Sequence, residues 1–192
     1  MRFAKIPENT FQEIQLNAGV LLNSFNAETP PAEAELLEAI IGATSGGVSF
    51  SATPTFSDFG DDIDNCPKNT KELKKLDTWE IKLSGTYVTV NAGVVAGLLA
   101  AADNQDGKIT PRNDLLEEDF EDIWWVGDYS NKNDETTGGM IAIHMMNSLS
   151  TTGFSLKSGD KVKGQFAFEY TAHYSIANQN IVPFEVYVKA GT

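Results

Sequence analysis

The residues whose types and spacing come nearest to a known chemistry are Asp103-Asn104-Gln105-Asp106-Gly107-Lys108-Ile109. Setting Gly107 at the sixth place of a calcium-binding loop puts Asn104 third, Asp106 fifth and Ile109 eighth, as an EF-hand requires. The same register puts Ala102 first and Asn113 twelfth, where the ion needs a carboxylate and a bidentate Glu. With both anchors missing, the stretch is expected to be a polar turn bending at Gly107, and no metal is expected. Cys66 stands alone and is followed by Pro67, so no internal disulfide can form. His144 lies in an apolar run and His173 on the polar side of an alternating one, places where imidazoles serve structure more often than catalysis. There is no nucleophile elbow, zinc motif, C-x-x-C or phosphate-binding glycine loop. The carboxylates are numerous, but a glycosidase pair must flank a sugar in a cleft, which spacing alone does not specify. The expectation is a protein without catalytic residues or cofactors, not an enzyme.

Trp79, Trp124 and Trp125 raise a binding chemistry instead, because a tryptophan presented on a β-sandwich can stack on a sugar. Neighbouring strand residues face opposite ways, so only one of Trp124 and Trp125 could join such a platform. The other reading places one tryptophan in the core and one at a subunit contact.

Charge narrows the partners. The 192-residue chain carries a formal charge of −13, and an acidic surface cannot neutralise phosphates as nucleic-acid binders do. The length suits one domain with a continuous core. Two early basic residues lack an apolar stretch behind them, and the longest apolar run, Ala92 to Ala102, would span only about 17 Å as a helix against the roughly 30 Å of a bilayer core. Synthesis in a cytoplasm, without membrane association, is the expectation.

The elements that must position these residues are mostly strands. Residues 1–45 read as an amino-terminal arm with a short helix at 32–41, started by Pro30 and Pro31 and ended by Gly42. Val48, Phe50, Ala52, Pro54 and Phe56 alternate as one apolar face, and Pro54 restricts that strand to an edge or a bulge. A long loop at 57–78 follows, acidic and then rich in lysine. Trp79, Ile81 and Leu83 alternate next; Val88 and Val90 then carry the apolar positions one residue out of phase, which predicts a bulge near Gly85. Asn91 caps a helix over 92–102, whose Gly93, Gly97 and Ala101 side is expected to pack closely against a sheet. Residues 123–129 and 140–146 read as buried strands around a polar hairpin loop. From Val162 to Ile176 the apolar residues are even-numbered, the period of one or two collinear strands about 50 Å long. A type II′ turn at Gly159-Asp160 would join them to 153–157, and 182–188 supplies a return strand. The sum is mainly β: an antiparallel β-sandwich or open barrel with one packed α-helix and a long loop.

Several long strings are more specific than any motif: LNAGVLL at 16–22, IGATSGGVSFSATPTFSDFGDDIDNCPKNTKELKKLDTWEIKLSGT at 41–86, ITPRNDL at 109–115, DIWWVGDYS at 122–130, GGMIAIHMMNSLSTTGF at 138–154 and FEYTAHYSIANQNIVPFEVYVKAG at 168–191. In these the chain resembles the major tail proteins, or tail tube proteins, of siphophages that infect Gram-positive bacteria. The resemblance implies a single tail-tube domain over 1–192 and a structural virion protein made in the host bacterial cytoplasm. Its copies would close into hexameric rings that stack into the hollow tail tube, the conduit for DNA ejection. Its partners would be itself and the other tail proteins at the tube ends, with phage DNA passing without being bound and the anionic bore repelling phosphates. Within this reading Lys68, Lys71, Lys74 and Lys75 are expected to meet Glu117, Glu118, Asp119, Glu121 and Asp122 of a neighbouring subunit; otherwise both runs are simply solvated. The long loop is expected to become ordered on ring stacking. The alternative from another class is a monomeric carbohydrate-binding β-sandwich module. A third is the inner-tube protein of a contractile machine.

Overall fold

A computed structural model describes residues 5–7, 10–129 and 139–189; the 130–138 hairpin loop is therefore outside the described residues. Strands dominate, as the alternating sequence predicts. In chain order they are β1 (Val20–Leu22), β2 (Thr44–Asp58), β3 (Lys74–Tyr87), β4 (Ala102–Gln105), β5 (Lys108–Pro111), β6 (Glu121–Tyr129), β7 (Gly139–Ser150), β8 (Lys157–Gly159), β9 (Val162–Ala172) and β10 (Phe184–Lys189). Among them lie one helical turn, α1 (Thr10–Glu13), and two longer helices, α2 (Glu33–Ala39) and α3 (Ala92–Leu99).

All strands but β4 and β5 belong to one hydrogen-bonded antiparallel sheet in the order β1-β6-β7-β9-β3-β2, with β10 also on β7 and β8 also on β9. Strand β7 makes this continuous sheet fold over on itself. Its first half, Met140–Met145, is bonded to β6 and β10, whereas its last residues, Ser148–Ser150, pair with Ala172–Tyr170 of β9. Asn147 turns the strand between the two halves with φ 49°. Its N–H donates to Asp122 Oδ1 at 3.0 Å and its side-chain amide to the His173 carbonyl at 3.2 Å, so backbone groups released at the bend keep partners. The result is two layers, β1-β6-β7-β10 and β8-β9-β3-β2.

Side chains from both layers fill the space between them. Leu21, Ile123 and Met145 from one layer meet Ile81, Leu83, Tyr87, Phe166, Phe168 and Tyr170 from the other, and Val94 and Leu98 of α3 close one side. A smaller cluster sits on the opposite face of β6 and β7, where Leu22, Trp124 and Ala142 are covered by Phe25 and by Leu36 and Ala39 of α2. Leu21 and Leu22 thus feed different clusters, the consequence of a two-residue side-chain period.

Several expectations need correction. The bulge lies across the sheet from Gly85, between Thr44 and Val48 of β2, where Gly46 and Gly47 take φ of 83° and 85°. Gly85 itself is in phase with Leu83 and Tyr87; a Cβ there would lie 2.7 Å from Phe168 Cζ, so the missing apolar side chain is supplied by a cross-strand ring. The long loop is 59–73, because β2 continues to Asp58 and β3 begins at Lys74. Helix α3 ends at Leu99, since Ala100 adopts φ 63°, and the chain then forms the β4-β5 hairpin. The long even-numbered strand stops at Ala172, and β10 pairs with β7 rather than β9. In the hairpin turn before β9 the positive φ falls on Lys161, not on Gly159, and only Lys157–Gly159 of the segment before it is strand.

Candidate functional site

The stretch with the calcium-loop pattern is the turn of the β4-β5 hairpin. Asp106 and Gly107 both have positive φ, 51° and 85°, the requirement of a type I′ turn, and Asn104 Oδ1 accepts the Gly107 N–H at 3.1 Å. His144 lies flat on Trp124, with ring centroids 3.9 Å apart, and its Nε2 meets Asp122 Oδ2 at 2.9 Å. His173 packs edge-on to Phe120 and bonds the Asn147 carbonyl. Both imidazoles hold strands together. The tryptophans are packed too: Trp124 is buried, Trp125 donates from Nε1 to the Ala18 carbonyl at 3.0 Å, and Trp79 meets the edge of Phe184.

The lysine and acid runs lie apart within one chain. Lys68 is in the 59–73 loop, Lys71 in a short 3-10 turn, and Lys74 and Lys75 open β3. Lys71 pairs with Glu72 and Lys75 with Asp77, both on exposed surface, while Lys74 donates to Asn69. Of the acids, Asp119 and Asp122 have local duties. Asp119 caps the Leu116 N–H and pairs with Arg112; Asp122 supports the β7 bend. Glu117, Glu118 and Glu121 are exposed and make no ion pair or side-chain hydrogen bond among the described residues. The two runs lie apart, because Glu121↔Ser148 and Ser148↔Ala172, with Lys82↔Thr171, set the acid run level with Ile81, seven residues down β3 from Lys74, about 23 Å at strand rise.

What the sheet leaves unfinished is more informative. Among the described residues β2, β10 and the short β8 each pair on one side only, whereas the outer side of β1 is bridged by Ile40 and bonded by Ala39 and Ile41. Beyond Trp79 the β2-β3 ribbon continues past the body through Lys74–Thr78, for about 15 Å, with no third strand among the described residues. Its apolar positions remain regular, yet Phe56, Phe59, Ile63 and Leu76 are all about half exposed. At the far end of the same layer, around the β8-β9 hairpin, Phe154, Leu156 and Val162 are also partly exposed. A monomer gains little from apolar groups at two opposite ends of one sheet.

The outward face of β2 and β3 is hydroxylic, with Ser49, Ser51, Thr53 and Thr55 beside Thr78, Ser84 and Thr86, and β9 adds Lys163, Gln165, Ala167, Glu169 and Thr171 to it. At its centre one lysine faces two glutamates. Lys82 Nζ lies 2.6 Å from Glu80 and 3.9 Å from Glu169, and the Glu80 carboxylate raises the lysine above its ordinary pKa. On the inward face the Tyr87 and Tyr170 hydroxyls stand 3.5 Å apart, and burial pushes both phenols upward.

A cleft of about 740 Å³ opens beside α3, between that helix, the β4-β5 hairpin and the ends of β6 and β7. Arg112, largely buried, is held by Asp103 at 2.9 Å and by Asp119. Sequence reasoning missed this cleft, since nothing in 102–111 distinguishes a two-stranded hairpin from a helix exit. No known family model matches the chain, and no curated protein is significantly similar to it.

Proposed function

We propose that this chain is a siphophage tail tube subunit, a structural virion protein whose copies form hexameric rings stacked into the hollow tail tube. The observation that carries the reading is the sheet layer β8-β9-β3-β2, open along β2 at one margin and along the short β8 at the other, and apolar at both tips. Open margins on opposite sides suit a heterologous contact, which closes into a ring when the rotation permits. Apolar patches at opposite ends suit the stacking of one ring on the next.

The hydroxylic face would then line the bore. On β3 one lysine is held between two glutamates, while Lys163 of β9 and Lys157 of β8 share that face without an ion pair among the described residues. With Lys82, Lys157 and Lys163 against Glu80 and Glu169, this stretch of the bore would be close to neutral, and most of the −13 charge lies elsewhere. The carbohydrate-binding alternative would need a presented tryptophan, and all three indoles are engaged in packing.

Negative-stain micrographs of the purified protein at rising concentration test the proposal. Rings or tubes of constant diameter are expected. A protein that remains monomeric in the micrographs and on size exclusion, and loses tryptophan fluorescence on adding glycans, would replace this reading with the alternative.

A further inference from the structure

Ring closure through the layer β8-β9-β3-β2 leaves the margin of the other layer, β10, without a partner. The register shows which of its backbone groups are free. The Met146 N–H donates to the Pro183 carbonyl at 3.0 Å, so the odd-numbered residues of β10 are the ones bonded to β7. Val186 and Val188 therefore turn their N–H and carbonyl groups away from β7, where no strand among the described residues meets them. Their side chains are 47% and 64% exposed. Sheets usually blunt such an edge with a bulge or an inward-pointing charge. Strand β10 instead follows β7 in unbroken register and carries Phe184, Val186 and Val188 on its inward face, a straight apolar edge to which a further strand can add.

The strand that fits is β10 itself. Glu185-Val186-Tyr187-Val188-Lys189 is complementary to its own reversal, since about Tyr187 the valines exchange places and the acid exchanges with the base. An antiparallel copy centred there sets Val186 opposite Val188 as a hydrogen-bonded pair, each donating to and accepting from the other, twice by symmetry. Glu185 then stands opposite Lys189 of the second copy at a non-hydrogen-bonded position, where Cα atoms are about 4.5 Å apart and side chains are closest. The two-fold registers centred on Val186 or Val188 use the same backbone groups but set Glu185 or Lys189 against Tyr187. Both charged side chains have room for the pair. Glu185 is 48% exposed and engages Tyr187 and His144 through Oε2 alone, and Lys189 Nζ uses one of its three donors on the Glu28 carbonyl at 3.1 Å. The Glu28 carboxylate also lies within electrostatic reach of Tyr187, so charge sets the register of this contact, and the backbone bonds and valines supply its strength. We propose that unassembled subunits pair two-fold through β10, joining β1-β6-β7-β10 of one copy to the same layer of the other as one continuous sheet. Subunits of stacked rings are related by rotation about the tube axis, which brings no adjacent β10 antiparallel to itself, so the contact belongs to the pool outside the tube. It does not depend on the tail tube reading.

Sedimentation velocity of protein cleared of tubes tests this. A strand edge buries an area at the small, transient end of protein interfaces, so the wild type should pass from monomer to dimer between low and high micromolar concentration. Lys189→Glu should keep the subunit's melting temperature yet weaken self-association about tenfold, because it sets acid against acid. Glu185→Lys should do the same by setting base against base. Mixed one to one, the two variants should dimerise again, since each supplies the charges that the other lacks. Tyr187→Cys combined with Cys66→Ser should give a disulfide-linked dimer on mild oxidation, the central pair being within disulfide reach. A wild type that stays monomeric at high micromolar concentration, a Lys189→Glu variant that dimerises like it, a mixture of folded variants that stays monomeric, or the absence of the disulfide-linked dimer would each overturn the pairing. Lys189→Glu should form tubes as readily as the wild type, and loss of tubes together with the dimer would contradict its assignment to unassembled subunits. Wild-type protein that dimerises in this way but never forms tubes would overturn the tail tube reading and support this inference.

Discussion

Strand β3 passes through two different environments without changing its pattern. From Ile81 to Tyr87 its alternate residues are buried, with Ile81 and Tyr87 fully inaccessible, and it is bonded to β2 on one side and β9 on the other. From Lys74 to Thr78 it has only β2 as a neighbour, and Leu76 is 45% exposed beside Phe56 at 53%. Alternation therefore tells which face of a strand is apolar, but not whether this chain or another covers it. The inner half stabilises the subunit; the outer half stabilises what the subunit joins.

Substitutions in the inner half should cost the subunit most. Leu83→Ala should lower the unfolding free energy of the free subunit by about 3 kcal/mol, measured by urea denaturation, because Leu83 is buried between both layers. Gly85→Val sharpens the same point, since its side chain must displace the Phe168 ring; a loss of about 2 kcal/mol is expected. Alkaline titration probes the same region more gently. Tyr87 and Tyr170 both have phenols raised by burial, so the folded state resists ionisation that the unfolded chain accepts. Their contribution is present below the ordinary phenol pKa of about 10 and is lost as pH rises above it. Tyr87→Phe should flatten the fall in melting temperature between roughly pH 10 and 11. In the outer half, Phe56→Ser with Leu76→Ser should change subunit stability least, by about 0.5 kcal/mol or less, and yet suppress tube formation in micrographs. Equal losses from the inner and outer substitutions would mean that the ribbon is part of the subunit core.

Much of the fold was legible because burial imposes a period. The faces of β2 and β9, the short helix behind Pro30-Pro31 and the Asn91 cap, whose Oδ1 accepts the Val94 N–H at 2.8 Å, all follow from local chemistry. Errors arose where tertiary pairing overrode a local cue. Gly85 reads as a slip only until Phe168 is seen to fill its place, and β10 reads as the return partner of β9 although the bend at Asn147 hands it to β7. The lysine and acid runs were visible as composition. That Asp119 and Asp122 serve Arg112, Leu116 and Asn147, leaving Glu117, Glu118 and Glu121 free, depends on a bend and a hairpin with no local signature.

The central claim is that strand margins left open in one copy are closed by another. Amide hydrogen exchange along β2, compared between dilute subunits and assembled protein, reads this directly. The account expects exchange over Thr44–Asp58 to slow at least tenfold on assembly, while Ile141–Met145 of β7, already bonded on both sides, stays unchanged. Equal protection of β2 in both states would contradict it.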